Sequence, residues 1–249
     1  MKKTINILGF IAVLLFSACS PIDNFDAPEE TIQGKIYDSA TGELLQCGTS
    51  TQIRLMEYSW DKNPTPYYIT AKPDGTYKNT KIFKGNYGLL PYGAFVPFQQ
   101  FDAEGNYIRN DEVIKDIKGT VTVDFQVEPF LRVEWVGKPV LDEEGVITAV
   151  VRVTRGTNNP DYQDPVDYIN LYISTGETVG DGNYINMYSR RKFFNGNDAE
   201  QYLGQEYEIK SRGNLPAGRR WVIRAGARTK TIVNGSQRFN YSTAIEMNS

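Results

Sequence analysis

The chain contains no histidine, and this absence restricts the chemistry open to it. Serine–histidine–aspartate and cysteine–histidine catalysis, the zinc-protease motif and most transition-metal sites all depend on an imidazole. The two cysteines, Cys19 and Cys47, are too few for a cysteine-rich zinc site. What remains is carboxylate chemistry, serine–lysine chemistry, calcium held by oxygen ligands, or binding without catalysis.

Aromatic side chains are numerous, with 16 Tyr, 12 Phe and 3 Trp, and two predicted loops concentrate them. The first loop, 58–68, has an aromatic residue at each end and is stiffened by Pro64 and Pro66. The second loop covers 92–102. A site that combines apolar platforms with a few polar groups is typical of sugar capture. The candidate glycan-binding residues are Trp60, Tyr58, Asp61, Asn63, Tyr67, Tyr92 and Phe95.

Packing in the core or in the joint between domains is the alternative role for each of these aromatic residues, because large aromatic side chains are mostly buried. Trp60 is the least core-like of them, since Asp61, Lys62 and Asn63 follow it in a predicted turn. We therefore expect a glycan contact at Trp60 first.

Other patterns favour structure over chemistry. Ser189 and Lys192 have the Ser-x-x-Lys spacing of serine–lysine acyl transferases, which works on a helical turn, yet their surroundings read as strand and loop. The acidic runs 142–144 and 161–164 do not follow the EF-hand calcium pattern and are better explained as solvated turns. We predict no catalytic residue, no metal site and no cofactor.

The N-terminus reads as a lipoprotein export signal. Lys2 and Lys3 precede an almost wholly apolar run, 5–16, which is too short to span a bilayer. The run ends in Phe16-Ser-Ala-Cys19, which resembles the lipobox of bacterial lipoproteins, whose cysteine is lipidated and becomes the new N-terminus. We predict a signal peptide at 1–18 and a membrane anchor at Cys19, with an ordinary secretory signal as the alternative.

Residues 19–30 are predicted to form a mobile tether, because two prolines and four acidic residues interrupt any apolar periodicity. This acidic stretch resembles the signal that sends Bacteroidetes-type lipoproteins to the outer face of the outer membrane. We therefore expect a lipid-anchored protein facing the cell surface.

The net charge disfavours a nucleic-acid partner. Loss of 1–18 removes two lysines and leaves 25 basic against 30 acidic side chains, so there is no excess of positive charge to bind a phosphate backbone.

From Thr31 onward, alternation of apolar and polar residues dominates and helix signals are nearly absent. The stretches 34–38, 73–77 and 85–87 resemble those of the carboxypeptidase-regulatory-like, transthyretin-like β-sandwich. That resemblance implies a sandwich over 31–128 whose Asp-Gly turn and Gly-x-Tyr strand are structural. Cys47 is interpreted as a small buried apolar residue.

A second β-sandwich, immunoglobulin-like or fibronectin-like, is predicted over 129–249. Its apolar alternation is clearest at 147–153 and 221–227, and Asn234-Gly235 predicts a hairpin turn. Arg152, Arg224 and Arg228 alternate with this apolar face, so we expect them on the solvent side. The predicted fold class is all-β, with two β-sandwich domains after the signal and tether.

The whole chain resembles a family of uncharacterised lipoproteins encoded beside SusC/SusD-type glycan-uptake pairs. The resemblance rests on the lipobox, on 34–38, on 151–158 and on 239–242. It implies a non-catalytic surface lipoprotein that binds glycan or supports SusC/SusD-like partners in uptake. The alternatives are a glycoside hydrolase or lyase, which needs two carboxylates about 5–10 Å apart in a groove, and a structural accessory that docks to proteins.

Overall fold

The computed structural model describes residues 27–194 and 200–249. The predicted signal peptide 1–18, the predicted lipidation site Cys19 and most of the predicted tether lie outside the described residues. No helix in the described part of the chain is long and apolar enough to cross a membrane. The all-β prediction is confirmed, and helical structure within 27–194 and 200–249 is limited to short turns such as the 3₁₀ helix Pro160–Tyr162.

The first half of the fold is built from two sheets that face each other and a separate hairpin. Its strands are β1 (Glu30–Asp38), β2 (Gln52–Glu57), β3 (Tyr67–Thr70), β4 (Thr76–Ile82), β5 (Gly85–Tyr92), β6 (Gln99–Phe101), β7 (Tyr107–Asn110), β8 (Val113–Ile117), β9 (Thr120–Thr122) and β10 (Phe125–Val127). One sheet has the order β10-β1-β4, with β9 also paired to β1. The other has the order β3-β2-β5-β8, and β6 pairs with β7.

The first core lies between these two sheets. In a strand, alternate side chains point to the same face, and Ile32 and Ile36 of β1 pack in this way against Leu55 and Leu89 of the opposite sheet. Gly34 lies between the two isoleucines on the inner face. The backbone of β1 therefore runs close to the segment that connects β9 and β10.

The second half of the fold also consists of two sheets. Its strands are β11 (Leu131–Trp135), β12 (Val140–Leu141), β13 (Ile147–Arg155), β14 (Val166–Ser174), β15 (Arg190–Phe193), β16 (Glu206–Lys210), β17 (Arg220–Val233), β18 (Ser236–Tyr241) and β19 (Ile245–Asn248). One sheet has the order β11-β13-β12 with β16 paired to β13. The other has the order β15-β14-β17-β18 with β19 paired to β17.

The second core is filled by the alternating residues that the sequence indicated on β13 and β17. Val151 of β13 and Ile223 and Ala225 of β17 are fully buried in it. The predicted hairpin turn is present between β17 and β18, where Asn234 and Gly235 both have positive φ, at 48° and 73°. Such angles suit the right-handed twist of the two flanking strands.

The joint between the two halves contains a buried arginine, which corrects one prediction. Arg224 was expected in solvent on the outer side of β17, but it is 1% exposed. Its Nη1 donates to the Cys47 carbonyl oxygen at 2.7 Å, and its Nε donates to the Ser242 carbonyl oxygen at 2.9 Å. The outer face of this sheet is therefore covered by the first half of the chain at Arg224. Arg152, by contrast, has a partly exposed side chain, as expected.

Cys47 is buried as the sequence indicated, with 1% of its surface exposed. Burial raises the pKa of its thiol to about 12, although a hydrogen bond with Thr51 and the charge of Arg224 act in the opposite direction. The thiol is therefore protonated at neutral pH, and it serves in packing at the joint.

An ion pair joins the halves at a second point. Asp38 Oδ2 accepts from Arg132 Nε at 2.6 Å, and Oδ1 accepts from Arg132 Nη2 at 2.9 Å. Burial acts to raise the pKa of Asp38. The opposite effect comes from the hydrogen bonds that Arg132 and the Ala40 amide donate and from the charge of Arg132. This effect is the larger one, so the pKa of Asp38 lies below its ordinary value. Asp38 is therefore a carboxylate in the folded protein.

This lowered pKa makes the contribution of Asp38 to stability dependent on pH. Because the folded pKa lies below the unfolded one, the contribution is present above the unfolded pKa and is lost as the pH falls through the folded pKa. We expect Asp38→Asn to lower the free energy of unfolding by about 1–2 kcal/mol at pH 7. The difference from wild type should shrink below about pH 4. Urea denaturation at pH 7 and pH 3 measures both values, and an equal difference at the two pH values contradicts the assignment.

Candidate functional site

A patch of tyrosines lies on the outer face of the sheet β3-β2-β5-β8. Arg54 of β2 and Tyr68 of β3 are register partners, so their side chains share this face. The ring centroid of Tyr92, at the end of β5, lies 6.3 Å from that of Tyr68 and 5.7 Å from Arg54 Cζ. Together with Tyr58 and Glu112, these residues form what we call the tyrosine patch.

Glu112 holds the polar groups of the tyrosine patch in place. Its Oε1 accepts from Arg54 Nη2 at 2.9 Å, and its Oε2 accepts from Tyr58 Oη at 2.9 Å. Burial, followed by the hydrogen bond to Glu112 and the negative charge of Glu112, raises the pKa of Tyr58 to about 12. The phenol is therefore a hydrogen-bond donor at neutral pH, and the patch has a fixed arrangement of donors and acceptors.

Trp60 lies on the loop between β2 and β3 and is 73% exposed. Its indole Nε1 donates to Glu57 Oε1 at 2.7 Å. The predicted turn follows, with the backbone amide of Asn63 donating to Asp61 Oδ1 at 2.9 Å, and the side chains of Asp61 and Asn63 both lie at the surface. The hydrogen bond restrains the indole while most of its surface stays in contact with water.

Tyr67 and Tyr68 are adjacent in β3 and therefore point to opposite faces of the sheet. Tyr67 is 52% exposed, and its hydroxyl accepts from Asn79 Nδ2 of β4 at 2.7 Å. The structure thus divides the predicted residues. Tyr58 and Tyr92 belong to the tyrosine patch, whereas Tyr67 turns toward β4 and Trp60 toward Glu57.

The prediction for Phe95 is corrected, because its ring lies in the first core and is 1% exposed. The segment 94–96 passes through the joint, where Ala94 and Val96 point into the second core and Phe95 points into the first. A ring enclosed in this way has no free face on which a sugar could stack.

Three residues of the tyrosine patch were missed by the sequence reasoning. Tyr68 lies next to Tyr67 at the end of the aromatic loop 58–68, so the same sequence pattern could have indicated it. Arg54 alternates with the core residues of β2, so the sequence indicated only that its side chain points away from the core. Glu112 is 58 positions from Arg54 in the chain, and no local pattern marks it.

The Ser-x-x-Lys spacing does not form a catalytic pair. The Ser189 hydroxyl is buried and accepts from the Ile173 amide at 2.9 Å. Lys192 Nζ lies 4.5 Å from the ring centroid of Tyr207.

The acidic run at 142–144 belongs to a turn in which Asp142 Oδ1 accepts from the Val146 amide. In the described ranges, no group of three or more His, Cys, Asp or Glu side chains is placed to hold a metal ion.

A groove of about 300 Å³ runs along the joint and contains carboxyl groups. Asp38, Glu43 and Glu134 line it, together with Trp135. The Trp135 indole donates to the Thr243 carbonyl oxygen at 2.8 Å. Because Arg132 keeps Asp38 ionised, Asp38 is unsuited to act as the general acid that a glycoside hydrolase needs.

Comparison with known proteins gives a family and a set of related folds. A family model described as the N-terminal domain of a protein of unknown function, DUF3823, matches residues 30–128. No curated protein matches the chain. The crystal structure of a DUF3823 family protein from Bacteroides uniformis is 35% identical in sequence, with a TM-score of 0.80. The match covers 89% of this chain and 99% of that one.

Two more distant structures share the fold. One, from Bacteroides uniformis, is named a “putative carbohydrate binding protein”; it is 20% identical, with a TM-score of 0.66, and the match covers 89% of this chain and 100% of that one. The other is a DUF3823 family protein from Parabacteroides merdae, 19% identical with a TM-score of 0.61, over 90% of this chain and 100% of that one.

Proposed function

This chain belongs to the DUF3823 family, whose function is unknown, and we propose that it is a non-catalytic glycan-binding protein. The observation that carries the proposal is the indole of Trp60, which is 73% exposed yet restrained by its hydrogen bond to Glu57. Tryptophan is enriched at binding interfaces, where a partner covers its apolar ring while its N–H keeps a hydrogen bond. The apolar face of a pyranose ring is a suitable partner, because it covers the indole while the sugar hydroxyls stay hydrogen-bonded.

The tyrosine patch supports the same function. Tyr68 is 43% exposed beside Tyr92, and the ion pair of Arg54 with Glu112 and the Tyr58 hydroxyl lie next to it. These groups are already held by one another, so a ligand would not have to order them on binding. The name of the Bacteroides uniformis neighbour of similar fold agrees with this class of ligand.

The proposed setting is the outer membrane. Cys19 is the proposed lipidation site, residues 19–30 are the proposed tether, and the body faces the cell surface. SusC/SusD-like proteins are the proposed partners. This part of the proposal is supported by the lipobox and by the acidic stretch after it in the sequence.

Two other functions remain as alternatives to be tested. A carboxylate-based hydrolase needs a carboxyl group with a raised pKa. Asp38, Asp74, Asp102 and Glu246 each have a pKa below the ordinary value, which is the opposite of what a general acid needs. A docking accessory is favoured by the β6–β7 hairpin, where the exposed rings of Phe101 and Tyr107 lie 4.8 Å apart between centroids.

We expect Trp60→Ala to weaken glycan binding about tenfold or more, because a centrally placed aromatic side chain contributes about 2 kcal/mol or more. The measurement is calorimetry of the soluble chain starting at Pro21 against plant, host and microbial polysaccharides. Val140→Ala is the control, since it also removes an exposed apolar side chain, 62% exposed, but from the second half of the fold.

The outcomes separate the three functions. Binding that Trp60→Ala loses and Val140→Ala keeps supports the site. Binding that both variants keep places the site elsewhere. Release of reducing ends from any polysaccharide would favour the hydrolase, and binding to no glycan would leave protein docking.

A further inference from the structure

A pocket of about 320 Å³ lies beside β15, the edge strand of the sheet β15-β14-β17-β18. Its lining includes three arginines, an exposed phenylalanine and two amide side chains. They are Arg190, Arg191, Arg212, Phe193, Asn170 and Asn186. We call this site the arginine pocket.

The positive charge of the arginine pocket has no carboxylate partner among the residues that line it. Arg190 donates from Nε to the Lys210 carbonyl oxygen at 3.2 Å. Arg191 Cζ lies 4.1 Å from the ring centroid of Tyr168. These contacts orient the two guanidinium groups without neutralising them. Arg212 is also exposed and contributes a third charge.

Elsewhere in the described ranges, arginines of this protein are commonly paired with acids. The pairs are Arg54–Glu112, Arg109–Asp111, Arg132–Asp38, Arg152–Glu206, Arg155–Glu200, Arg220–Glu246 and Arg228–Asp167. The three pocket arginines form no ion pair within 27–194 and 200–249. Within the described ranges, the arginine pocket is therefore a cluster of positive charge without an ion-pair partner, and such a cluster attracts anionic ligands.

Phe193 adds an apolar platform to this charge. It is 60% exposed and lies on β15 two residues after Arg191, so both side chains share one face of the sheet. Asn170 of β14 is the register partner of Arg191 and lies on the same face. The Phe193 ring, the Asn170 amide and the Arg191 guanidinium therefore share one face, while Arg190, the neighbour of Arg191 in β15, points to the opposite face and lines the pocket from there.

We propose that the arginine pocket binds the acidic group of a glycan, a carboxylate or a sulfate, while Phe193 packs against the sugar ring that carries it. A guanidinium presents paired N–H donors that match the oxygens of either anion. The exposed amide of Asn186 is the expected partner of the sugar hydroxyls. This proposal rests on glycan binding as the proposed function, but it does not depend on Trp60 or on the tyrosine patch.

The test uses the soluble chain starting at Pro21 and three probes: oligogalacturonate for the carboxylate, chondroitin sulfate oligosaccharide for the sulfate, and dextran oligosaccharide as the neutral probe. We expect one of the acidic probes to bind and the neutral probe not to bind at this site. Arg212→Gln and Phe193→Ala should each weaken that binding about tenfold. The control Lys118→Gln removes one exposed positive charge from the first half of the fold and should leave the affinity unchanged.

Thermal unfolding of each variant confirms that it is folded, and the identity of the acidic probe that binds tells the carboxylate from the sulfate.

The arginine pocket is overturned if Trp60→Ala abolishes acidic-probe binding while both pocket variants keep it. That result would leave glycan binding as the proposed function intact. Binding of the neutral probe alone also overturns it. If no probe binds, the arginine pocket is overturned for these anions, and the polysaccharide survey of Trp60→Ala decides the broader function separately. An equal loss in Lys118→Gln would assign the effect to overall charge and overturn the pocket as well.

Discussion

Replacing Arg224 by alanine is expected to lower the free energy of unfolding by about 3–5 kcal/mol. The guanidinium is 1% exposed and donates to three backbone carbonyl oxygens. Nε lies 2.9 Å from the Ser242 oxygen, Nη1 lies 2.7 Å from the Cys47 oxygen, and Nη2 lies 3.3 Å from the Pro73 oxygen. Alanine leaves these acceptors without their donor and opens a cavity beside Tyr241, whose ring centroid lies 4.4 Å from Arg224 Cζ.

The three acceptors come from both halves of the chain, so Arg224 also couples the two sandwiches. Burial lowers the pKa of its guanidinium to about 10, against the opposing influence of Tyr241, and the side chain is therefore charged at neutral pH. In Arg224→Ala we expect the halves to unfold less cooperatively, with a broader urea transition followed by tryptophan fluorescence.

The control for this prediction is Arg152→Ala. Arg152 also alternates with an apolar strand face, but its side chain is 38% exposed and it pairs with Glu206 at the surface. Loss of such a pair should lower the free energy of unfolding by about 1 kcal/mol or less. Losses of similar size in the two variants would contradict the role assigned to Arg224 at the joint.

Gly34→Ala is expected to lower the free energy of unfolding by about 1–3 kcal/mol, through overpacking in the first core. A Cβ on Gly34 would lie 1.8 Å from the Val123 carbonyl oxygen and 2.8 Å from Tyr77 Oη. The Tyr77 hydroxyl donates to that same oxygen at 2.5 Å, and the Val123 amide donates to the Gln33 oxygen. The obstacle is backbone held by several hydrogen bonds, so β1 or the β9–β10 connection has to shift.

Gly176→Ala is the matched control. Its φ is also outside the left-handed region, and the nearest atom to an added Cβ is Asn183 Nδ2 at 3.2 Å, the end of a side chain that can move. We expect a change of about 0.5 kcal/mol or less in that variant. Urea denaturation of both variants under the same conditions gives the comparison, and a stable Gly34→Ala protein would refute the steric argument.

The strands and their inward faces were predictable where apolar residues alternate over a long stretch. β1, β13 and β17 all show their buried residues in the sequence, because a strand places every second side chain on one face. The hairpin at Asn234-Gly235 was equally clear, since these two residue types accept the positive φ that a two-residue turn requires. The tendency of Trp60 to lie at the surface followed from the polar residues after it.

The outer faces of the sheets were not predictable in this way. Arg224 and Arg152 have the same local pattern, yet one is buried at the joint and the other is exposed. Phe95 and Trp60 both belong to aromatic loops, yet Phe95 packs in the first core because the chain passes between two cores at 94–96. Alternation tells which residues share a face, but it does not tell what covers that face.

The amino-acid sequence was therefore enough to establish an all-β chain, the core positions of its long strands and the chemistry that the absence of histidine excludes, because these depend on local periodicity and on composition. The tyrosine patch, the arginine pocket and the joint at Arg224 arise only in the folded chain. Each combines residues that are far apart in sequence, such as Arg54 with Glu112 and Arg224 with Cys47. Contacts of this kind depend on how the sheets pack against one another, and no local pattern records that packing.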